Sequence, residues 1–251
     1  MMAERKDIWF VSDVHLGLKT VDPGEREARF IAFLKGIPTA SAQALFLLGD
    51  IWDFWYEYRD VVPRTGSRVV AALVGLMDAG VQVWFCPGNH DIWTYSYFES
   101  LGMRRFDQPF HIRLADRDFC LGHGDLLGGA SWSYTLMLKI FRCRLAQRLF
   151  STIHPWLAFR FGLGWSGSNR RKHTPYHFRG ADEPLYRFAL AESERRHVDY
   201  FVFGHFHDAV DITLPTGAKL YVLKDWMDGG MPCGVFNGTS FELRCPASPA
   251  R

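Results

Sequence analysis

Five short motifs built of Gly, Asp, Asn and His recur in a fixed order, and each stands just after an apolar run. Residues 8–11, 45–48 and 82–86 have the length and composition of buried strands, and each breaks off into a polar or glycine-containing turn. Asp13-Val14-His15 follows the first run, Gly49-Asp50-Ile51-Trp52-Asp53 the second and Gly88-Asn89-His90-Asp91 the third. Gly122-His123-Gly124-Asp125 and Gly204-His205-Phe206-His207 follow later runs at 118–121 and 200–203. Between the first three runs, residues 25–35 and 68–78 read as helices. The second places Val69, Val70, Leu73, Leu76 and Met77 on one side and closes at Ala79-Gly80. Alternating strand and helix argues for βαβ units, whose ligands bind beyond the carboxyl ends of the strands.

After residue 107 the texture changes. Residues 111–114 and 118–121 read as a two-stranded unit, and 131–180 as amphipathic helix rich in Trp, Phe, Leu and Arg. Residues 182–197 read as a further helix, 200–203, 218–223, 234–237 and 240–243 as strands, and 246–251 as a frayed tail. No internal repeat is present. The expected architecture is one α/β core, residues 1–125 and 181–245, with a helical cap inserted at 126–180.

No apolar run approaches the ~20 residues needed to span a bilayer. The first seven residues are charged and lack an apolar stretch, so a cytosolic chain is expected. Five cysteines (Cys86, Cys120, Cys143, Cys233, Cys245) show no CxxC pairing and are expected as buried, reduced thiols. The net charge is only +2, yet 131–180 carries nine Lys or Arg and no Asp or Glu, leaving twenty basic against 27 acidic residues elsewhere. That asymmetry points to an anionic partner for the one segment. Basic residues interleaved with Trp, Phe and Leu read as an interfacial surface rather than a nucleic-acid site.

The motifs carry the chemistry. Asp13 and His15 are two apart, as are His205 and His207, a spacing that in extended backbone turns both side chains to one side. Carboxylate, imidazole and amide oxygen without thiolate suit Mn, Fe, Zn or a similar divalent ion and argue against a structural zinc. One such motif is weak evidence. Five in order are not.

The pattern resembles the calcineurin-like metallophosphoesterase superfamily: DxH, GDxxD, GNH(D/E), a later His, then GHxH, matched here from Asp13 to His207. The resemblance implies an α/β fold with a β-sandwich core flanked by helices. It implies one metal held by Asp13, His15, Asp50 and His207, with Asp50 bridging to a second held by Asn89, His123 and His205. Two ions about 3.5–4 Å apart activate a shared water and clamp the phosphoryl oxygens, so no Ser or Cys nucleophile is needed. His90 resembles the family's general acid or electrostatic stabiliser, oriented by Asp53 through its other ring nitrogen. Mn²⁺ is the first expectation, with Fe, Zn or Mg as alternatives.

Within the superfamily the chain is similar to UDP-2,3-diacylglucosamine pyrophosphatases of lipid A synthesis. The likeness rests on the aromatic run Trp52, Phe54, Trp55, on His123-Gly124-Asp125, and on Tyr134 opening a basic helical insertion. It implies hydrolysis of the pyrophosphate of an acylated UDP-sugar at the cytosolic membrane face, with Tyr134, Asn169, Arg170 and Lys172 contacting substrate. Two departures bear on substrate and not on metal chemistry: His90 stands where those enzymes have Arg, and Ser131-Trp132-Ser133 lacks an acidic residue before Tyr134. The alternatives are a metallophosphoesterase acting on soluble nucleotides, phosphodiesters or phosphoproteins, and a non-catalytic binding module. The last predicts eroded ligands, and none is missing.

Overall fold

The computed structural model describes residues 5–19, 22–170 and 177–246. Strands β1 (Asp7–Val11), β2 (Ala42–Leu48) and β3 (Gln82–Cys86) pair in parallel, and a two-residue β4 (Arg104–Arg105) joins β3. On the other side of β1, β10 (Cys233–Phe236) and β11 (Phe241–Arg244) complete a six-stranded sheet of order β11-β10-β1-β2-β3-β4. A second, five-stranded sheet combines β5 (Phe110–Leu114), β6 (Arg117–Leu121), β7 (Tyr200–Phe203), β8 (Val210–Thr213) and β9 (Lys219–Val222) in the order β5-β6-β7-β9-β8.

The alternation of side chains along the strands builds the layers. In β1 and β2, Phe10, Ala44, Phe46 and Leu48 enter the core shared with the second sheet, while Val11, Leu45 and Leu47 face the opposite way. The Phe10 ring stacks on Phe46 at 5.2 Å and on Phe119 of β6 at 5.9 Å. Helices α1 (Pro23–Gly36) and α2 (Ser67–Asp78) cover the outer face of the first sheet through Phe30, Leu34, Val69 and Leu73. Asp22 caps α1 by accepting from Gly24 and Glu25 N–H, with Pro23 opening the first turn. A short α3 (Tyr97–Ser100) precedes β4. Helices α4 (Trp132–Arg142), α5 (Arg144–Phe150) and α6 (Pro155–Arg170) follow β6, and α7 (Pro184–Arg195) covers the second sheet through Leu185 and Ala189. The result is the expected sandwich, helix–sheet–sheet–helix.

Because β1, β2 and β3 are parallel, and β6 and β7 are parallel, the five motif-bearing loops emerge at the carboxyl ends of their strands. Three elements were not anticipated. β4 is two arginines whose strand identity comes only from pairing with Trp84 and Phe85, α3 is a single turn, and β8 is a half-exposed edge strand. The cysteines divide. Cys86, Cys120 and Cys233 are buried free thiols as expected, whereas Cys143 and Cys245 are exposed. Cys143 sits in the break between α4 and α5, where no sheet covers it. Among the described residues no helix is long and apolar enough to cross a membrane.

Phe10 joins both sheets and is fully buried. Phe10→Ala is expected to lower stability by about 3–5 kcal/mol, the usual cost of deleting a buried aromatic ring, measured by denaturant unfolding of chelator-treated protein. A loss under 1 kcal/mol would show that the two sheets do not share one core.

Candidate metal centre

The parallel pairing of β1 with β2 continues past the strand ends. Asp13 N–H donates to Gly49 O (3.0 Å), His15 N–H to Asp50 O (2.9 Å), Leu16 N–H to Ile51 O (2.9 Å) and Asp53 N–H to Leu16 O (3.1 Å). The chain does this in an unusual conformation. Asp13, His15, Asp50, His205 and His207 have φ of 53°, 50°, 55°, 72° and 57°, and Ala115 is the one other non-glycine residue with positive φ among those described. The i, i+2 pairs therefore do not converge along extended backbone, as their spacing suggested; left-handed residues turn them inward. Such strain costs of order 1–3 kcal/mol per residue and persists only where the surroundings over-determine it.

At Asp50 it is Asp91 that over-determines the backbone. Its buried carboxylate accepts from Gly88 N–H (2.7 Å), Ile51 N–H (2.9 Å), Asp50 N–H (3.2 Å) and Trp52 N–H (3.3 Å), binding the second and third motif loops together. Burial and the nearby Asp50 push its pKa up to about 7, while those N–H bonds pull it down. Gly88 has no room for a side chain, since a Cβ there would run into Asp50 Oδ1, and one on Gly49 would stand 2.5 Å from His123 Nδ1.

The two central carboxylates divide their oxygens alike. Asp13 Oδ2 accepts from His205 N–H (2.9 Å), while Oδ1 lies 3.5 Å from His207 Nε2 and 3.7 Å from His15 Nε2. Asp50 Oδ1 accepts from His90 N–H (2.8 Å), while Oδ2 lies 3.4 Å from His123 Nε2 and 3.8 Å from His15 Nε2. Asp13 Oδ1 is buried and makes no hydrogen bond. An inward-facing carboxylate oxygen of that kind, ringed by imidazole nitrogens, fits a divalent cation. Asp13–His15–His207 and Asp13–Asp50–His123 each bring three ligand atoms within 4.8 Å of one another, as does His15–Asp53–His90. Asn89 Oδ1 lies 3.1 Å from His123 Nε2. His205 stands beside His123, rings 5.0 Å apart, but belongs to none of these triples.

Charge follows the geometry. Burial would raise the Asp13 and Asp50 carboxyls, but the facing histidines hold both well below the usual carboxylate range. Burial would lower His123, yet Asp50 raises it well above its usual value, and burial together with His123 lowers His205 to about 4. Ring partners set the tautomers. His123 Nδ1 lies 2.9 Å from Leu48 O and His90 Nδ1 lies 2.9 Å from Asp53 O. A carbonyl only accepts, so each Nδ1 carries hydrogen and each Nε2 is turned to the centre.

This last contact specifies the atom through which Asp53 would orient His90. Asp53 holds His90 through its main-chain carbonyl, while its carboxylate lies nearer His15 Nδ1 (3.3 Å) than His90 Nδ1 (3.8 Å). The backbone bond from Asp53 to Leu16 draws the residue toward the first loop. Tyr134 is brought beside the centre, its ring 6.5 Å from His205 and its hydroxyl buried without a hydrogen-bond partner. Asn169 and Arg170 fall in the last turn of α6, and Lys172 lies outside the described residues. Three residues were missed by sequence reasoning. Asp91 has its structural role described above; Asp225 Oδ2 accepts from His207 Nδ1 (2.7 Å). Gln108 accepts from Gly124 N–H (2.6 Å) and donates to Asp125, fixing the His123 loop. Asp91 was legible as the last letter of its motif, but nothing in spacing marks Asp225 or Gln108.

The helical segment is attached to the centre by an aromatic seam. Phe54 meets Phe159 (5.8 Å), Tyr56 meets Phe150 (4.7 Å) and Trp93 meets Phe141 (4.9 Å). Tyr56 O–H donates to Gln147 O and Trp93 Nε1–H to Phe141 O. Trp132, Leu145, Leu149, Trp156 and Phe161 stay exposed, each by 60% or more.

The family description for calcineurin-like phosphoesterases matches residues 6–209. A UDP-2,3-diacylglucosamine hydrolase of Porphyromonas gingivalis is 35% identical, the match covering 95% of this chain and 97% of that protein. One of Stenotrophomonas maltophilia is 30% identical over 88% of this chain and 91% of that one. Among solved structures, a dimetal phosphatase of Danio rerio superposes with a TM-score of 0.52 at 16% identity, covering 98% of this chain and 97% of that one, a likeness of fold.

Asp91→Asn replaces an acceptor-only group with one whose amide N–H must face main-chain N–H groups. It is expected to cost about 2–4 kcal/mol through buried groups left unsatisfied and to reduce bound metal, read by unfolding and by elemental analysis. Wild-type stability with full metal content would show that Asp91 does not hold the loops.

Proposed function

This chain belongs to the calcineurin-like phosphoesterase family and is a metal-dependent hydrolase, and from that premise we propose that it cleaves the pyrophosphate of UDP-2,3-diacylglucosamine. Water adds across the bond, giving UMP and 2,3-diacylglucosamine 1-phosphate. The observation that carries the reading is the 35% identity, along nearly the whole of both chains, to a hydrolase named for that substrate. The crowding of Asp13, Asp50 and four imidazoles at the strand ends supports the metal requirement.

In this reading Asp13, His15, Asp50 and His207 would hold one ion, and Asp50, Asn89, His123 and His205 would hold a second, Mn²⁺ in the first instance. Two divalent ions held there acidify water and neutralise charge on the phosphoryl oxygens. The chain's own residues do the rest. His123, with Nδ1–H on Leu48 O, offers the Nε2 lone pair. His90, with Nδ1–H on Asp53 O, keeps Nε2 toward the centre, where the protonated ring donates to the phosphoryl or leaving oxygen. Asp53 acts on two histidines, by its carbonyl on His90 and its carboxylate on His15. Tyr134, its ring 6.5 Å from that of His205, and Asn169, Arg170 and Lys172 are proposed as substrate contacts.

Asp50→Ala is expected to lose activity by several orders of magnitude together with bound metal. His90→Ala is expected to keep its metal and lose roughly 10²–10⁴ in turnover, measured by UMP release from UDP-2,3-diacylglucosamine with Mn²⁺. Full turnover in Asp50→Ala, or metal loss in His90→Ala, contradicts the respective role.

The exposed apolar side chains of α4–α6, set among Lys139, Arg142, Arg144, Arg148 and Arg160, support peripheral association of the proposed cap, residues 126–180, with an anionic cytosolic membrane face. Binding to vesicles containing anionic lipid is expected to weaken as salt rises, and activity is expected to be far greater on acylated than on non-acylated UDP-sugar. No vesicle binding at low salt, with equal activity on both sugars, favours a phosphoesterase of soluble substrates.

A further inference from the structure

The loop between β9 and β10 touches the centre at two points and was invisible in the motif pattern. Trp226 N–H donates to Asp13 O (3.2 Å), and Asp225 Oδ2 lies 2.7 Å from His207 Nδ1. The other carboxylate oxygen of Asp225 accepts from Met227 N–H (2.9 Å), closing a turn. The loop is itself clamped to α1. Trp226 is fully buried against Phe30 (5.0 Å) and Phe33 (5.4 Å), Arg29 donates to Trp226 O (2.9 Å), and Arg26 Nη1 lies 3.0 Å from Met227 Sδ. Asp225 is thus a carboxylate on a rigid mount, in line with the imidazole whose far nitrogen lies 3.5 Å from Asp13 Oδ1.

We infer that Asp225 is a positioning residue for the first metal site: it fixes His207 with hydrogen on Nδ1, orients the ring, and raises the basicity of the Nε2 lone pair offered to the ion. The inference rests on the ligand role proposed for His207. A carboxylate behind a ligating imidazole is worth about 10–100-fold in metal affinity. The other histidines near the centre have different partners: Leu48 O behind His123, Asp53 O behind His90, and the Asp53 carboxylate 3.3 Å from His15 Nδ1. Of the Nδ1 contacts with a carboxylate described here, that of His207 is the short one.

Asp225→Asn separates this role from a structural one. Asparagine keeps Oδ1 to accept from Met227 N–H and so retains the turn, but it presents an amide N–H to His207 Nδ1 and favours the wrong tautomer. Chelator-treated protein is titrated with Mn²⁺ by calorimetry, with thermal unfolding as the check on folding and His207→Ala as the reference. The expected result is that His207→Ala loses one ion and Asp225→Asn binds one of two ions about 10–100-fold more weakly, with turnover recovering as Mn²⁺ is raised. Wild-type affinity for both ions in Asp225→Asn, while His207→Ala loses one, overturns the inference and leaves the ligand reading intact. Wild-type binding in His207→Ala overturns the ligand reading itself, and the inference with it. If Asp225→Asn does not fold, Asp225→Ala is titrated instead. Weakening of one ion there with thermal unfolding unchanged from wild type, so that loss of the turn is not the cause, supports the role, and unchanged affinity for both overturns it. Weakening in Asp225→Ala with an unchanged Asp225→Asn assigns Asp225 to the turn alone and overturns the inference.

Discussion

Four main-chain N–H groups converge on the carboxylate of Asp91, and the joining of the second and third motif loops follows from that convergence. At the end of β2 the chain leaves the sheet through Gly49 and a left-handed Asp50. The amides that follow lie in a buried turn where water cannot reach them. Asp91 supplies the acceptor. In doing so it ties the third motif to the second, delivers His90 N–H to Asp50 Oδ1, and leaves Asp50 Oδ2 as the oxygen that faces His15 and His123. A side chain at 88 cannot be fitted beside it.

The same device recurs at Asp13, across the two sheets. His205 N–H from the second sheet occupies Asp13 Oδ2, and His123 Nδ1–H, also from the second sheet, is bonded to Leu48 O of the first, so the sandwich is stitched together at the centre as well as through its apolar core. The ligand-bearing loops therefore cannot move apart without breaking inter-sheet hydrogen bonds. Two buried carboxylates and the imidazoles around them are stable as a group only when charge is balanced. Carboxylate and imidazole balance one another: Asp50 raises His123, and the histidines lower Asp13 and Asp50. An ion that binds the folded chain and not the unfolded one stabilises the fold by mass action, so folding and metal loading are linked through these atoms.

The strands β1, β2, β3, β6 and β7, with their attendant loops, were legible in the sequence because each unites two signals, a strand-length apolar run and a motif with a fixed spacing. Where only one signal existed, reading failed or misjudged the cause. The i, i+2 histidines do converge, yet through positive φ, which no spacing rule reveals. Asp53 was paired with His90 by its place in the GDxxD motif, but backbone pairing to Leu16 turns its carboxylate to His15. Asp225 and Gln108 lie far along the chain from the ligands they touch, outside any repeated pattern, and only the crossing of the β9–β10 loop and the approach of residue 108 to Gly124 bring them in. The sequence reading placed all five cysteines in the interior, while Cys143 falls in a helix break and Cys245 just past the edge strand β11, and both are exposed.

The helical segment shows why composition could not settle its role. Its aromatic residues look alike in sequence, but the fold divides them into two populations. Phe141, Phe150 and Phe159 are spent on the seam with Trp93, Tyr56 and Phe54, where ring contacts and the Tyr56 and Trp93 hydrogen bonds fix the helices against the motif loops. Trp132, Leu145, Leu149, Trp156 and Phe161 take no part in that seam and remain 60% or more exposed, a condition soluble monomers rarely tolerate in such density without an occupant for the surface. The basic residues sharing those helices meet no acidic partner within 131–180. Arg160 lies over the ring of Trp156 at 5.5 Å, with no carboxylate in its own segment to turn to. Exposed apolar side chains on basic helices that hold no acidic residue favour two things in a partner, low polarity and negative charge. The anionic lipid interface proposed for this segment would meet both, whereas a soluble nucleotide or phosphopeptide would meet only the second.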